Sequence, residues 1–215
     1  MRIFSHLISW ICIPMLMPIY ALLIVFYIPA ENGVVFSNSL YFFSPPFKSF
    51  VLTVFILLGV IAPSVSFLYL RAIKAISSLQ MEDKNERLMP LCIMLLYCLI
   101  LYFSFFYVKN MNIHLPKYIQ ALAFSGAVVS AVFIFVNYKM KISLHAGGAG
   151  IFTGYLIAYL MEQIRFEFWI VILAFMISGI IMSSRLYLNK HTHVEIYSGW
   201  IIALFITFSI TYYYP

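Results

Sequence analysis

Leu91–Val108 reads LCIMLLYCLILYFSFFYV, a run without one charged residue. A helix needs about 20 apolar residues to cross a bilayer core, and an uncharged run of about 18 already marks a spanning candidate. Working outward, six more apolar segments flank it, at roughly 7–29, 49–70, 118–138, 146–161, 168–182 and 196–214. Backbone N–H and C=O groups have no water to bond inside lipid, so these segments are expected to be helices. The expected fold is therefore all-α, a polytopic transmembrane bundle of six to seven spans. The segments at 146–161 and 168–182 are short, so their ends are expected to lie among neighbouring helices or to run on into the polar stretches beside them.

Composition excludes the alternatives. Of 215 residues, 64% are hydrophobic and 9% charged, whereas soluble domains carry about 25% charged residues. The 21 Phe and 16 Tyr exclude a disordered chain, which is poor in aromatics. A net charge of +6 scattered over apolar segments is not the clustered basic surface of a nucleic-acid binder. At most about eight spans fit this length, which leaves one membrane domain over 1–215 and no extramembrane one. The N-terminal apolar stretch contains Pro14 and Pro18 but no small-residue cleavage pattern, so a retained helix is expected. Cys12, Cys92 and Cys98 sit in apolar runs and define no disulfide framework. The longest weakly structured connection is 30–47, with Glu31, Asn32, Gly33 and the Pro45-Pro46 pair.

Threading the chain back and forth puts 71–90, 139–145 and 183–195 on one membrane side, here called near. Side-chain chemistry concentrates there: Lys84, Arg87, Lys141, Ser143, His145, Arg185, His191 and Glu195. Taken singly, such residues are ordinary loop charges in headgroup water. Arg and His recurring in loops on one face is the informative pattern. Of the 13 basic residues, nine (Arg2, Arg71, Lys74, Lys84, Arg87, Lys139, Lys141, Arg185, Lys190) fall on the near side and four on the far side. Four of those nine are candidate anion ligands, and without them the positive-inside count decides nothing about orientation.

In the last near-side stretch, Ser184-Arg185 is followed after five residues by His191 and after three more by Glu195. With a helix starting near Thr192, Glu195 lies one turn inside, where its carboxylate can hold the imidazole Nδ1–H and fix the tautomer. Thr192-x-x-Glu195 is equally a capping box, and the two roles are compatible. Arg185 offers a planar fork of donors matched to phosphate oxygens. In KISLHAGGAG, Lys141–Gly150, Ser143 is a candidate N-cap, and His145 would project from the first helical turn, where the helix dipole favours an anion. Ala146, Gly150, Gly154 and Ala158 form a small-residue ridge suited to close helix packing. Lys84 and Arg87 stand one turn apart before Pro90.

The order of a basic motif, a Ser-x-His motif and Ser-Arg-x5-His-x3-acid resembles the type 2 phosphatidic acid phosphatase superfamily. That helical family includes lipid phosphatases, undecaprenyl pyrophosphate phosphatases and vanadium haloperoxidases. Ser184, Arg185 and His191 match its third motif, with Glu195 in place of Asp. Ile142-Ser143-Leu144-His145 keeps Ser and His of the second. Arg87 stands at the Arg of the first, with Gln80 at the Lys position, Pro90 displaced, and Lys84 one turn from Arg87. The 38 residues between His145 and Ser184 suit the family's spacing. IPMLMP (13–18) and HTH (191–193) are similar to signatures of its all-membrane bacterial branch. The resemblance implies His191 as a nucleophile forming a phosphohistidine, His145 as the acid that protonates the leaving alkoxide, and Glu195 orienting His191. Arg87, Arg185, Ser143, Lys84 and Lys141 would hold phosphoryl oxygens. No metal or other cofactor is implied; the partner is a phosphorylated lipid among membrane lipids, and no nucleic acid.

Two rivals are weighed beside it. His145, His191, His193 and Glu195 have donor types suited to zinc or iron, but His191 and His193 cannot share one helix face. A non-enzymatic membrane protein, either a transporter or a scaffold, is the other, and a catalytically reduced family member that binds a lipid phosphate stands beside them. No inverted repeat and no mid-span ionisable residue point to transport.

Overall fold

The computed structural model describes residues 2–30, 39–78, 83–110, 115–163 and 167–215. Glu31, Asn32, Gly33, Gln80 and Arg165 lie outside those residues. Every regular element among the described residues is helical. They are α1 (Arg2–Ile11), α2 (Met17–Tyr27), α3 (Pro45–Ile56), α4 (Ala62–Ala72), α5 (Leu88–Asn110), α6 (Lys117–Lys139), α7 (Leu144–Met161), α8 (Phe168–Tyr187) and α9 (His193–Tyr213). A π-helical turn, Leu57–Ile61, joins α3 to α4, so Pro45–Ala72 is one continuous span. Six helices are long and apolar enough to cross a membrane, and α1 with the segment through α2 makes a seventh if that bent pair is one span. The chain is a polytopic helical membrane protein.

The segment 7–29, expected as one helix, is broken. Between α1 and α2 lies a short 3-10 turn, Pro14–Leu16, and the axes bend by 47°. Proline cannot donate to the residue four back and pushes its predecessor out of the helical region; Ile13 duly sits at φ −58, ψ 137. Pro18 falls in the first turn of α2, where its missing N–H is harmless. Alone, α2 is only about 16 Å long at 1.5 Å per residue. Helix α1 packs against α8 and turns Ile3, Phe4, Leu7, Trp10 and Ile11 outward.

The two short spans extend into the polar motifs, as their length suggests. Helix α7 begins at Leu144 and takes in His145, while α8 runs on through Arg185. Helix α7 is the centre of the bundle, with 72% of its span buried. Its small-residue ridge faces α9: a Cβ on Gly150 would collide with the Trp200 carbonyl, and one on Gly154 with the Leu204 carbonyl. Backbone therefore lies on backbone. On another side of α7, a Cβ on Gly148 would come within 2.8 Å of Pro14 Cα. The helix break is thereby held against the start of α7, a contact that matters for the site.

The far half is tied by buried polar contacts. Tyr118 donates to Glu162 at 2.6 Å, Tyr159 accepts from Leu40 N at 2.9 Å, and Lys48 donates to the Phe26 and Tyr41 carbonyls at 2.7 and 2.6 Å. Large apolar side chains such as Phe103, Phe135 and Phe205 remain outward on the spans, as lipid contact requires.

Candidate functional site

The near-side ends of the helices bring Arg87, His145, Arg185, His191 and Glu195 together. Helix α8 closes on Asn189, whose φ of 52 lies in the left-handed region that Asn tolerates, with Lys190 N donating back to the Arg185 carbonyl. The chain then reverses, and Thr192 caps α9. Thr192 Oγ1 accepts from Glu195 N at 3.3 Å, and Glu195 Oε2 accepts from Thr192 N at 3.1 Å. The same carboxylate oxygen lies 3.0 Å from His191 Nδ1. The capping box and the imidazole-orienting contact thus coexist in one residue.

The His191 side chain is 2% exposed. Burial, followed by the charges of Arg87, Arg185 and Lys141, pushes its pKa down to about 3, against a smaller opposing effect of the Lys141 backbone. His191 is therefore neutral near pH 7. Its Nδ1 faces the Glu195 carboxylate, which only accepts, and the ring also meets the Lys141 backbone.

Arg87 closes a 3-10 turn, Asn85–Arg87, and is 3% exposed; its guanidinium donates to the Ile142 carbonyl just before α7. Arg185, in the last turn of α8, is 8% exposed. Its Nη1 donates to Ser9 Oγ at 3.2 Å, and its Nε is buried with no hydrogen-bond partner among the described residues. His145 projects from the first turn of α7, 3.1 Å from the Ser9 carbonyl through Nε2. A carbonyl only accepts, so that nitrogen carries the proton. The two guanidinium groups and both imidazoles act on one another electrostatically, and Glu195 is the carboxylate that bears on Arg87.

Arg87, His145, Arg185, His191 and Lys190 line one end of a cavity of about 470 Å³. Its remaining wall, from α3 through α7, is largely apolar. A chamber with a cationic mouth and an apolar body can take an amphiphilic anion: the buried cations lower its free energy, and the walls take its apolar part.

Three predicted ligands stand elsewhere. Ser143 is the N-cap of α7, its Oγ accepting from Ala146 N at 3.4 Å, while its own N–H donates to the Glu195 carbonyl at 3.2 Å. It joins the starts of α7 and α9 and does not line the cavity. Lys84 donates to the Tyr138 carbonyl at 3.1 Å, capping α6, and also stands off the cavity. Lys141 Nζ reaches the Lys190 carbonyl at 3.3 Å, so it adds charge to the neighbourhood of His191 without lining the chamber.

The site also holds residues not foreseen. Ser9, His6 and Lys190 line the cavity, and Ser9 holds both Arg185 and His145. Their signal was faint: Ser5, His6 and Ser9 are polar residues one turn apart in a run otherwise apolar. His193 is outside the cluster, exposed and stacked on Tyr197. Among the described residues, no three of His, Cys, Asp and Glu are grouped to hold a metal ion.

Compared with known protein families, curated proteins and solved structures, the chain matches none.

Proposed function

We propose that the chain is an integral-membrane phosphatase that hydrolyses a phosphate ester or pyrophosphate of a lipid through a phosphohistidine on His191. One observation carries it: two buried guanidinium groups and two imidazoles close the polar end of a chamber whose other walls are apolar. Arg185 is buried with its Nε lacking a hydrogen-bond partner among the described residues, and an anionic ligand would meet that donor and its charge. The motif order Ser184-Arg185…His191…Glu195, with Arg87 and His145, supports the same chemistry.

His191 Nε2 attacks phosphorus, and the bond to the leaving oxygen breaks as His145, charged as imidazolium once the anionic phosphate lies beside it, gives that oxygen a proton and becomes neutral. Water then loses a proton to His145 and attacks phosphorus, breaking the P–N bond and releasing phosphate. Arg87 and Arg185 neutralise the equatorial oxygens, the largest help a protein gives this transfer. Glu195 holds the tautomer and meets the positive charge that develops on His191. Substrate has to displace Ser9 from His145 and Arg185 before either can serve. The substrate class is phosphatidic acid, phosphatidylglycerol phosphate, undecaprenyl pyrophosphate or lipid A, all of which present similar phosphates at a membrane face. The location that goes with this chemistry is a bacterial inner membrane.

The test is phosphate release from phosphatidic acid and a prenyl diphosphate by purified protein in detergent. His191→Ala abolishes release and His145→Ala slows it by about 10²-fold or more, the usual range for a lost acid–base group. Wild-type release by both variants would end the mechanism. A second reading, a protein that binds a lipid phosphate without turnover, is favoured by Ser143 and Lys84 standing off the cavity. It predicts phosphate binding by the wild type that is lost in Arg185→Met, with no release from any substrate.

A further inference from the structure

We infer that the apolar body of the cavity is a chain-length gauge: it receives a hydrocarbon tail of the lipid phosphate, and Gly59 sets its inner end. This rests on the lipid-phosphate reading of the cationic mouth. Leu91 and Leu101 both line the chamber. Ten helical residues separate them, so it runs about 15 Å along α5, half of a hydrocarbon core about 30 Å thick. All of Phe55, Gly59, Cys98 and Gly126 line it; by helical register Cys98 stands about two turns deeper than Leu91, and Gly126 lies against Cys98.

Gly59 sits within the π-helical turn Leu57–Ile61, and a Cβ built on it meets no atom within 4 Å. A side chain there meets open space rather than a neighbour. Packed helices normally leave few voids, and π turns recur at functional positions. A chamber this long, continuous with Arg87, His145 and His191, fits one occupant: the tail of a molecule whose phosphate sits at the mouth.

A tail moving from lipid into this chamber gains little free energy, because lipid tails are as apolar as leucine. The chamber therefore discriminates by length and by placing phosphorus at His191, not by adding affinity. An over-long chain meets a wall, and a bulkier Gly59 brings that wall closer.

The test pairs wild type with Gly59→Phe and Gly59→Ala, using hexadecyl phosphate and butyl phosphate in detergent. We expect Gly59→Phe to lower hexadecyl phosphate turnover tenfold or more and to leave butyl phosphate within twofold. Gly59→Ala should change neither. Equal losses on both substrates, or none on either, overturn the gauge while leaving the phosphatase standing.

A second readout needs no turnover. In a Cys12→Ser/Cys92→Ser/Cys98→Ser background, Gly59→Cys, whose side chain stands in open space on the chamber wall, is alkylated with N-ethylmaleimide. Hexadecyl phosphate should slow the alkylation several-fold, and inorganic phosphate should not. Protection without phosphate release from any substrate keeps the tail chamber and sinks the phosphatase. No protection by hexadecyl phosphate sinks the chamber.

Discussion

His191 shows how a single position couples folding to chemistry. Its ring is 2% exposed, held by Glu195 and pressed by three cations. The depressed pKa makes the neutral ring the folded form, while the unfolded chain takes up a proton below its ordinary value of 6.5. The contribution is therefore complete above pH 6.5 and is lost as pH falls from 6.5 toward about 3. At 1.36 kcal/mol per unit, the full effect is on the order of a few kcal/mol. Thermal unfolding in detergent at pH 8 and pH 4.5 reads it: wild type should lose more stability on acidification than His191→Gln does. Equal slopes would mean the ring is solvated.

At the scale of elements, the contact between α7 and α9 positions the rest. Gly150 and Gly154 let the two backbones meet, and their N-termini, capped by Ser143 and Thr192, carry His145 and follow His191 directly. Gly154→Val should push α9 away and destabilise the protein by about 3 kcal/mol, the upper range for overpacking. Gly179→Ala, where an added Cβ meets nothing within 4 Å, should be neutral in the same melting experiment. The ridge, the capping box and the Ser143 cap were all legible, because each is a short-range pattern with a fixed helical period. The break at Pro14 was only half legible. Two prolines in an apolar run signal a bend, yet nothing local says that the bend brings Ser9 onto Arg185 and His145. Lys84 and Lys141, which the resemblance made phosphate ligands, donate to the Tyr138 and Lys190 carbonyls, contacts that no short-range pattern announces.

The whole molecule gathers buried cationic groups at its near face. Arg87 and Arg185 are buried in a cluster for which Glu195 is the neighbouring carboxylate. An anion that completes it should stabilise the fold by mass action, by about 2.7 kcal/mol at a hundredfold excess over its dissociation constant. Inorganic phosphate should raise the melting temperature of wild type in a concentration-dependent way. Arg185→Met should melt higher than wild type without phosphate, since an apolar side chain replaces a strained buried charge, and should gain nothing from added phosphate. A variant that still responds would place the anion elsewhere.

The amino-acid sequence alone determined that this is a helical membrane protein, where its spans run, and which polar stretches share a face. Those properties follow from one-dimensional rules: the length of apolar runs, the helical period and the back-and-forth passage of the chain through lipid. Tertiary structure alone decided which of the near-side groups turn inward, that Ser9 from α1 joins Arg185 to His145, and that an apolar chamber lies behind them. The reason is physical. A side chain's direction depends on the rotation and tilt of its whole helix, and these are set by close packing between segments far apart in the chain.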